Sequence, residues 1–214
     1  MPLLDVEIST TGSVLPRDVV AFLGEADSRV DQFVRNSPIR LTGFVPSDFV
    51  TVYHALRAIG EANLAPGNSF CEWGSGFGVV ASLAAMLGFD VCGIEIERVL
   101  VDAARELADD FGLPVEFVHG SFVPRGAEAF AEEAFANTSS EQYWIVTDAD
   151  DAYEELGVDP DGFDIVFAYP WPGEEHLITG LFEKYSADEA LLLMYDQFDS
   201  VRLVRKVSET SGAF

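Results

Sequence analysis

The stretch Phe70-Cys71-Glu72-Trp73-Gly74-Ser75-Gly76-Phe77-Gly78 constrains this chain more than any other part of its sequence. The residues 68–73, bounded by Gly67 and Gly74, read as a short buried strand, and the small apolar residues 77–87 read as a helix packed on a sheet. Between them, three glycines in five positions let the backbone take positive φ and let a ligand approach without a Cβ in the way. The helix that follows turns free N–H groups and the positive end of its dipole toward that turn. The spacing of the glycines narrows the ligand. A dinucleotide fingerprint, G-x-G-x-x-G, starting at Gly74 needs its third glycine at position 79, which is Val79; here it comes one residue earlier, at Gly78.

The chain after Phe70 alternates between strand-like and helix-like patterns. Residues 90–95 read as a second strand and 98–111 as an amphipathic helix, with Val99, Leu100, Ala103, Ala104, Leu107 and Ala108 at helical spacing. Gly112-Leu113-Pro114 ends that helix, and 115–118 makes a third strand. Residues 163–168 and 190–195 are continuous apolar runs, as strands buried on both faces of a parallel sheet require. This order predicts an α/β fold with a doubly wound, mostly parallel sheet and helices on both faces. Residues 1–67 are expected to form an N-terminal helical cap segment, with helices over 16–34 and 48–62, Ser47 capping the second. Residues 68–214 form the core. They carry an insertion over 127–163, too long for an ordinary crossover loop, with helices near 128–136 and 149–156. After residue 195 only 201–207 reads as a further strand.

Charge limits the partners. The 214 residues hold 37 acids against 12 bases, a net charge of −25. A surface this acidic repels phosphate, and the two lysines and scattered arginines form no basic face, so no nucleic-acid partner is expected. No apolar stretch approaches the ~18–20 residues that span a bilayer. Cys71 and Cys92 sit in apolar runs as core thiols rather than a disulfide framework, and a cytoplasmic setting is expected. His54 and His119 have no partner residues at metal-ligand spacing, so no metal site is expected.

The pattern acid-x-Gly-x-Gly-x-Gly from Glu72 to Gly78 resembles the first motif of class I, Rossmann-like S-adenosylmethionine-dependent methyltransferases. The resemblance implies S-adenosyl-L-methionine as cofactor, held by Glu72, Gly74, Ser75, Gly76 and Gly78. A carboxylate beside the turn suits an ammonium and a sulfonium, though Glu72 also reads as a solvated strand-end acid. Glu95 ends the second strand about 20 residues after the turn, where an acid accepts ribose hydroxyls in this family and in NAD-binding folds alike. The family position after it, which packs on adenine, falls on Ile96. After the third strand, many members carry an acid that holds the adenine amino group; here Ser121 stands there, followed by Phe122. Ser121 reads equally as a loop serine. The family follows its fifth strand with a helix and an antiparallel strand pair. With only 201–207 available, the sheet is shortened at the C-terminus, or its edge comes from a partner or from the N-terminal segment. Gly43-Phe44-Val45-Pro46-Ser47 is similar to a Val-Pro-Ser/Thr segment of small protein-lysine methyltransferase-like proteins, where it lies over the donor. That adds Ser47 to the cofactor residues.

The fourth strand leads into Tyr169-Pro170-Trp171-Pro172-Gly173-Glu174-Glu175-His176. In an open α/β sheet this loop lies at the ligand crevice. Tyr169 and Trp171, stiffened by Pro170 and Pro172, form an aromatic ledge that suits a cation, or else two aromatics turned into the core. His176, with Glu174 and Glu175, is the candidate base for a nucleophile that must lose a proton. The two acids also suit the dipole of a starting helix. The resemblance thus implies methyl transfer to a small molecule or protein side chain. The alternative is a catalytically degenerate donor-binding module with a regulatory or assembly role. Eleven of the acids fall within 127–163, with no Lys or Arg among them. They read as a solubilising surface, or as a field that steers a cationic small molecule or basic protein segment to the site.

Overall fold

A computed structural model of the chain describes residues 3–10, 12, 14–36, 45–136, 151–196 and 200–208. It begins with strand β1 (Leu3–Asp5) and helices α1 (Arg17–Asn36) and α2 (Phe49–Glu61). The core follows as β2 (Ser69–Trp73), α3 (Val79–Met86), β3 (Asp90–Glu95), α4 (Arg98–Asp110) and β4 (Val115–His119). Helices α5 (Glu128–Ala136) and α6 (Ala152–Leu156) and a 3-10 turn, Pro160–Gly162, lead to β5 (Ile165–Ala168). Helix α7 (Glu175–Tyr185) and strands β6 (Leu191–Tyr195) and β7 (Val201–Lys206) close the order.

The seven strands make one sheet in the order β1-β7-β6-β5-β2-β3-β4. Five neighbouring strands, from β6 to β4, are parallel, and helices cover both faces, as the alternation predicts. Because successive side chains alternate, Cys71 and Trp73 of β2 enter a core shared with α6 and α7. Phe70 enters a second core with α2, α3 and α4. Helix α1 lies outside that layer and inserts Val19, Phe22, Leu23, Ala26 and Val30 against α2, α3 and α4. The register sets Cys71 opposite Cys92, and both are buried free thiols.

The far edge of the sheet is where the sequence reading left three outcomes open. β7 runs antiparallel to β6, and β1 completes the edge antiparallel to β7, pairing Leu3 with Lys206 and Asp5 with Val204. The N-terminal segment therefore supplies the edge strand beside β7, one of the three outcomes expected there. Arg202 holds Asp5 at 2.7 Å, and the buried Lys206 donates through Nζ to the Ser186 carbonyl, closing the C-terminal end of α7.

Local boundaries shift for identifiable reasons. Asp48, not Ser47, caps α2: the helix starts at Phe49, and Asp48 Oδ1 accepts the N–H groups of Val50 and Thr51 at 3.0 and 3.2 Å. Helix α3 starts at Val79 rather than at 77, because Phe77 and Gly78 belong to the turn. On α4, Val101 is buried and Val99 is 47% exposed, so the apolar face is rotated from the one predicted. The predicted helix over 149–156 is described only as Ala152–Leu156; its first two residues, with Gly43 and Phe44 upstream, lie outside the described residues. Among the described residues no helix is long and apolar enough to cross a membrane.

Candidate functional site

The strand order reverses at β2: β3 and β4 extend the sheet on one side of it, β5 and β6 on the other. Loops leaving β2 and β5 therefore diverge, which opens a crevice at the carboxyl ends of these strands. Trp73, the last residue of β2, is level with Ile94 of β3 and with Ala168, the last residue of β5. The glycine turn, Glu95, the loop after β4 and the aromatic loop after β5 thus all emerge at one edge.

The turn itself is tightly held. Gly74, Gly76 and Gly78 have φ of 73°, 53° and 65°, the left-handed region that side chains disfavour. Gly74 and Ser75 donate their N–H groups to the Ile94 carbonyl at 2.9 and 3.0 Å, and Gly78 donates to Ser75 O at 2.7 Å. Gly78 is sterically fixed as well, since a Cβ there would lie 2.2 Å from Phe117 Cζ. At Gly74 a Cβ would meet nothing, so the open side of the turn faces outward at its first glycine. Phe77 is buried and meets Phe33 of α1 edge-on at 5.0 Å.

Two buried carboxyls brace this turn. Glu95 Oε2 accepts the Gly76 N–H at 2.7 Å, and its Oε1 accepts the Glu97 N–H at 2.8 Å. Glu72 Oε2 accepts the Ala81 N–H at 2.8 Å. Burial pushes the Glu72 carboxyl well above the usual carboxylate range; the Ala81 N–H opposes that shift and the Glu95 charge adds to it. Burial raises Glu95 as well, against the N–H groups of Glu97 and Gly76. Glu72 is therefore a buried group and not a solvated strand-end acid.

Ile96 follows Glu95 half-buried. Gly120 N–H donates to the Glu95 carbonyl at 2.9 Å, which ties the loop after β4 to the end of β3. In that loop Ser121 is buried, and its Oγ accepts the Val123 N–H at 3.1 Å, so part of its capacity shapes its own turn. The half-buried Phe122 ring stacks on Trp73 at 5.4 Å with planes 7° apart, and Tyr153 donates its hydroxyl to Phe122 O at 2.8 Å. Ser47 is half-buried just ahead of α2.

Beyond β5, Tyr169 is half-buried and meets the buried Tyr195 edge-on at 5.0 Å. Trp171 is half-buried, and its N–H donates to Glu174 Oε2 at 3.0 Å, while Glu174 N–H donates back to Trp171 O at 2.9 Å. Glu175 Oε2 accepts the Gly173 N–H at 2.9 Å. Both acids thus fold the loop that carries the ledge. His176 is exposed in the first turn of α7. Tyr169 and Trp171 follow the carboxyl end of β5, with Tyr169 packed partly against the core at Tyr195, whereas His176 lies out on the helix surface.

Sequence reasoning passed over two positions that shape the turn. A Cβ on Gly93 would come within 2.9 Å of both Phe117 and Ser75 Cβ, so this glycine lets β4 and the turn close on β3. A glycine inside a buried strand is the signal that marks such an approach. Phe117 fills the space that Gly78 and Gly93 leave.

No protein-family model matches the chain, and no curated protein matches it in sequence. Solved structures do match in shape. An RNA methyltransferase from Salinibacter ruber in complex with S-adenosyl-L-homocysteine is 18% identical, with a TM-score of 0.50 over 76% of this chain and 92% of that one. An O-methyltransferase from Bacillus cereus is 14% identical over 85% of this chain and 66% of that one, with a TM-score of 0.47. A SAM-dependent methyltransferase from Thiobacillus denitrificans is 19% identical over 84% and 55%, with a TM-score of 0.42. The first of these shows the fold: this chain has the Rossmann-like α/β fold of class I methyltransferases.

Proposed function

We propose that this chain is an S-adenosylmethionine-dependent methyltransferase whose acceptor is a small molecule or a protein side chain. The observation that carries the reading is the braced glycine turn at the point where the strand order reverses, with Glu95 beside it. Gly74, Ser75 and Gly76 would hold the amino-acid end of the donor. A carboxylate has about four lone-pair sites, so Glu95 keeps capacity for ribose hydroxyls beyond the backbone groups it accepts. Ile96, Ser121 and Phe122 would border the place for the base, and Ser47 would close it from the segment just ahead of α2. The bound donor supplies an electrophilic methyl group on sulfur. The chain's part is positioning and exclusion of water, which carry most of an in-line displacement. Tyr169 and Trp171 line the acceptor side, and His176 is the nearest histidine in sequence to that ledge. Two buried free thiols fit a reducing, cytoplasmic compartment.

The Salinibacter ruber neighbour is an RNA methyltransferase by name, so RNA belongs among the acceptors assayed. The net charge of −25 favours a neutral or cationic acceptor over a polyanion. Isothermal titration with S-adenosylmethionine and with NAD tests the donor; binding of NAD alone would overturn the reading. Transfer of labelled methyl to the amine, protein or RNA fraction of an extract identifies the acceptor. The second reading, a donor-binding module without catalysis, is favoured by the engagement of Glu174 and Glu175 in loop contacts and the exposure of His176. Donor binding with no transfer to any fraction would select it.

A further inference from the structure

A helix normally has a Ser, Thr, Asp or Asn at its N-cap, whose side chain accepts the N–H of the second or third helical residue. Helix α3 cannot use one. Its N-cap is Gly78, held at φ 65°, where a Cβ would strike Phe117 Cζ at 2.2 Å and Ala104 Cβ at 3.0 Å. The close approach of β4 and α4 that shapes the turn therefore strips the helix of its local cap. The third helical residue is Ala81, and its N–H donates to Glu72 Oε2 at 2.8 Å. This is the N–H that a capping side chain would serve. Glu72 is 5% exposed and ends on the neighbouring strand, nine residues back in the chain, so the bond closes a loop around all three glycines. The partly positive helix end favours an acceptor there.

We infer that Glu72 is the cap of α3, delivered from β2, and acts as a positioning residue that fixes the glycine turn through the helix rather than by touching the ligand. Glu95 holds the middle of the turn at Gly76, and Glu72 holds its exit. Only the affinity part of the test below rests on the donor reading.

Glu72→Ala removes the acceptor, whereas Glu72→Gln keeps a carbonyl at the same reach without the charge. In the unliganded protein, Glu72→Ala should speed hydrogen exchange at the Ala81 amide by about tenfold, the size of one lost cap, and Glu72→Gln should restore protection. S-adenosylmethionine affinity should fall about tenfold in Glu72→Ala and return in Glu72→Gln. Unchanged Ala81 protection in Glu72→Ala overturns the proposal. So does a Glu72→Gln variant that matches Glu72→Ala in Ala81 exchange, while restored protection without restored affinity overturns the positioning role, the result expected if the charge pairs with a cationic ligand. If Glu72→Ala does not fold, Glu72→Gln decides alone: retained Ala81 protection supports the cap, and lost protection overturns it. If the native protein binds no S-adenosylmethionine, the exchange result still decides the cap, and the failure falls on the proposed function alone.

Discussion

Gly78 and Gly74 have nearly the same backbone angle and opposite surroundings. Any L residue at positive φ costs about 1–2 kcal/mol. At Gly78 the added Cβ must also displace Phe117, an overpacking of about 1–3 kcal/mol more. Gly78→Ala should therefore lower the denaturant midpoint by clearly more than Gly74→Ala, whose Cβ enters open space; equal losses would show that φ alone matters. The two buried carboxyls make a separate prediction. Glu72 and Glu95 both titrate above their unfolded values, so the folded chain binds more protons than the unfolded chain between those values. Their contribution is complete below the unfolded carboxylate range and is lost as pH rises through the folded values. The thermal midpoint of the free protein should rise as pH falls from neutral toward about 5, and Glu72→Gln should flatten that slope. A midpoint indifferent to pH over this window would refute it.

The elements of the site are set by contacts that cross from one to another. Helix α1 reaches the glycine turn through Phe33 on Phe77, so the N-terminal region helps to hold the turn in place. Helix α2 depends on Asp48, which accepts two backbone N–H groups and the Thr51 hydroxyl at 2.7 Å. Asp48→Ala should cost about 1 kcal/mol in a urea titration, while Ser47→Ala should leave the midpoint within a few tenths. A larger loss at Ser47 would place the cap where the sequence reading put it. Strand β1 is only three residues long and carries no local signal of its own; pairing with β7 and the Asp5–Arg202 contact make it a strand. The reverse holds at α5, where the pattern of residues 128–136 is enough to mark the helix at its observed bounds.

Over the whole molecule, charge sets the response to salt. The exposed pairs, such as Arg29 with Asp110 and Arg35 with Asp31, are each worth about 0–1 kcal/mol and weaken in salt. Against them stands the mutual repulsion of a chain at −25. The screening length falls from about 10 Å at 0.1 M to about 3 Å at 1 M salt, which suppresses that repulsion at every separation on the surface. Repulsion is the larger effect, so the thermal midpoint should rise from low salt to molar sodium chloride; a falling midpoint would assign control to the ion pairs. Part of the acidic stretch 127–163 lies in α5 and α6, and residues 137–150 lie outside the described residues.

The sequence by itself determined what depends on near neighbours. Apolar runs marked β2 to β6 and the helices α3 and α4, and the glycines at 74, 76 and 78 marked the turn, because periodicity and turn chemistry act over a few residues. It also located Glu95 by its distance from that turn. Tertiary structure alone decided which strand sits beside which, that β1 closes the sheet against β7, and what each buried polar group contacts. Glu72 was legible as an acid beside a glycine turn, but its partner Ala81 became its partner only when Phe117 and Ala104 required a glycine at the helix cap. Glu174 read as a base or a helix-end acid until the loop folded back to bring Trp171 N–H to it. A residue's type and spacing limit what it can bond; which bond it makes is settled by the segments that burial brings against it.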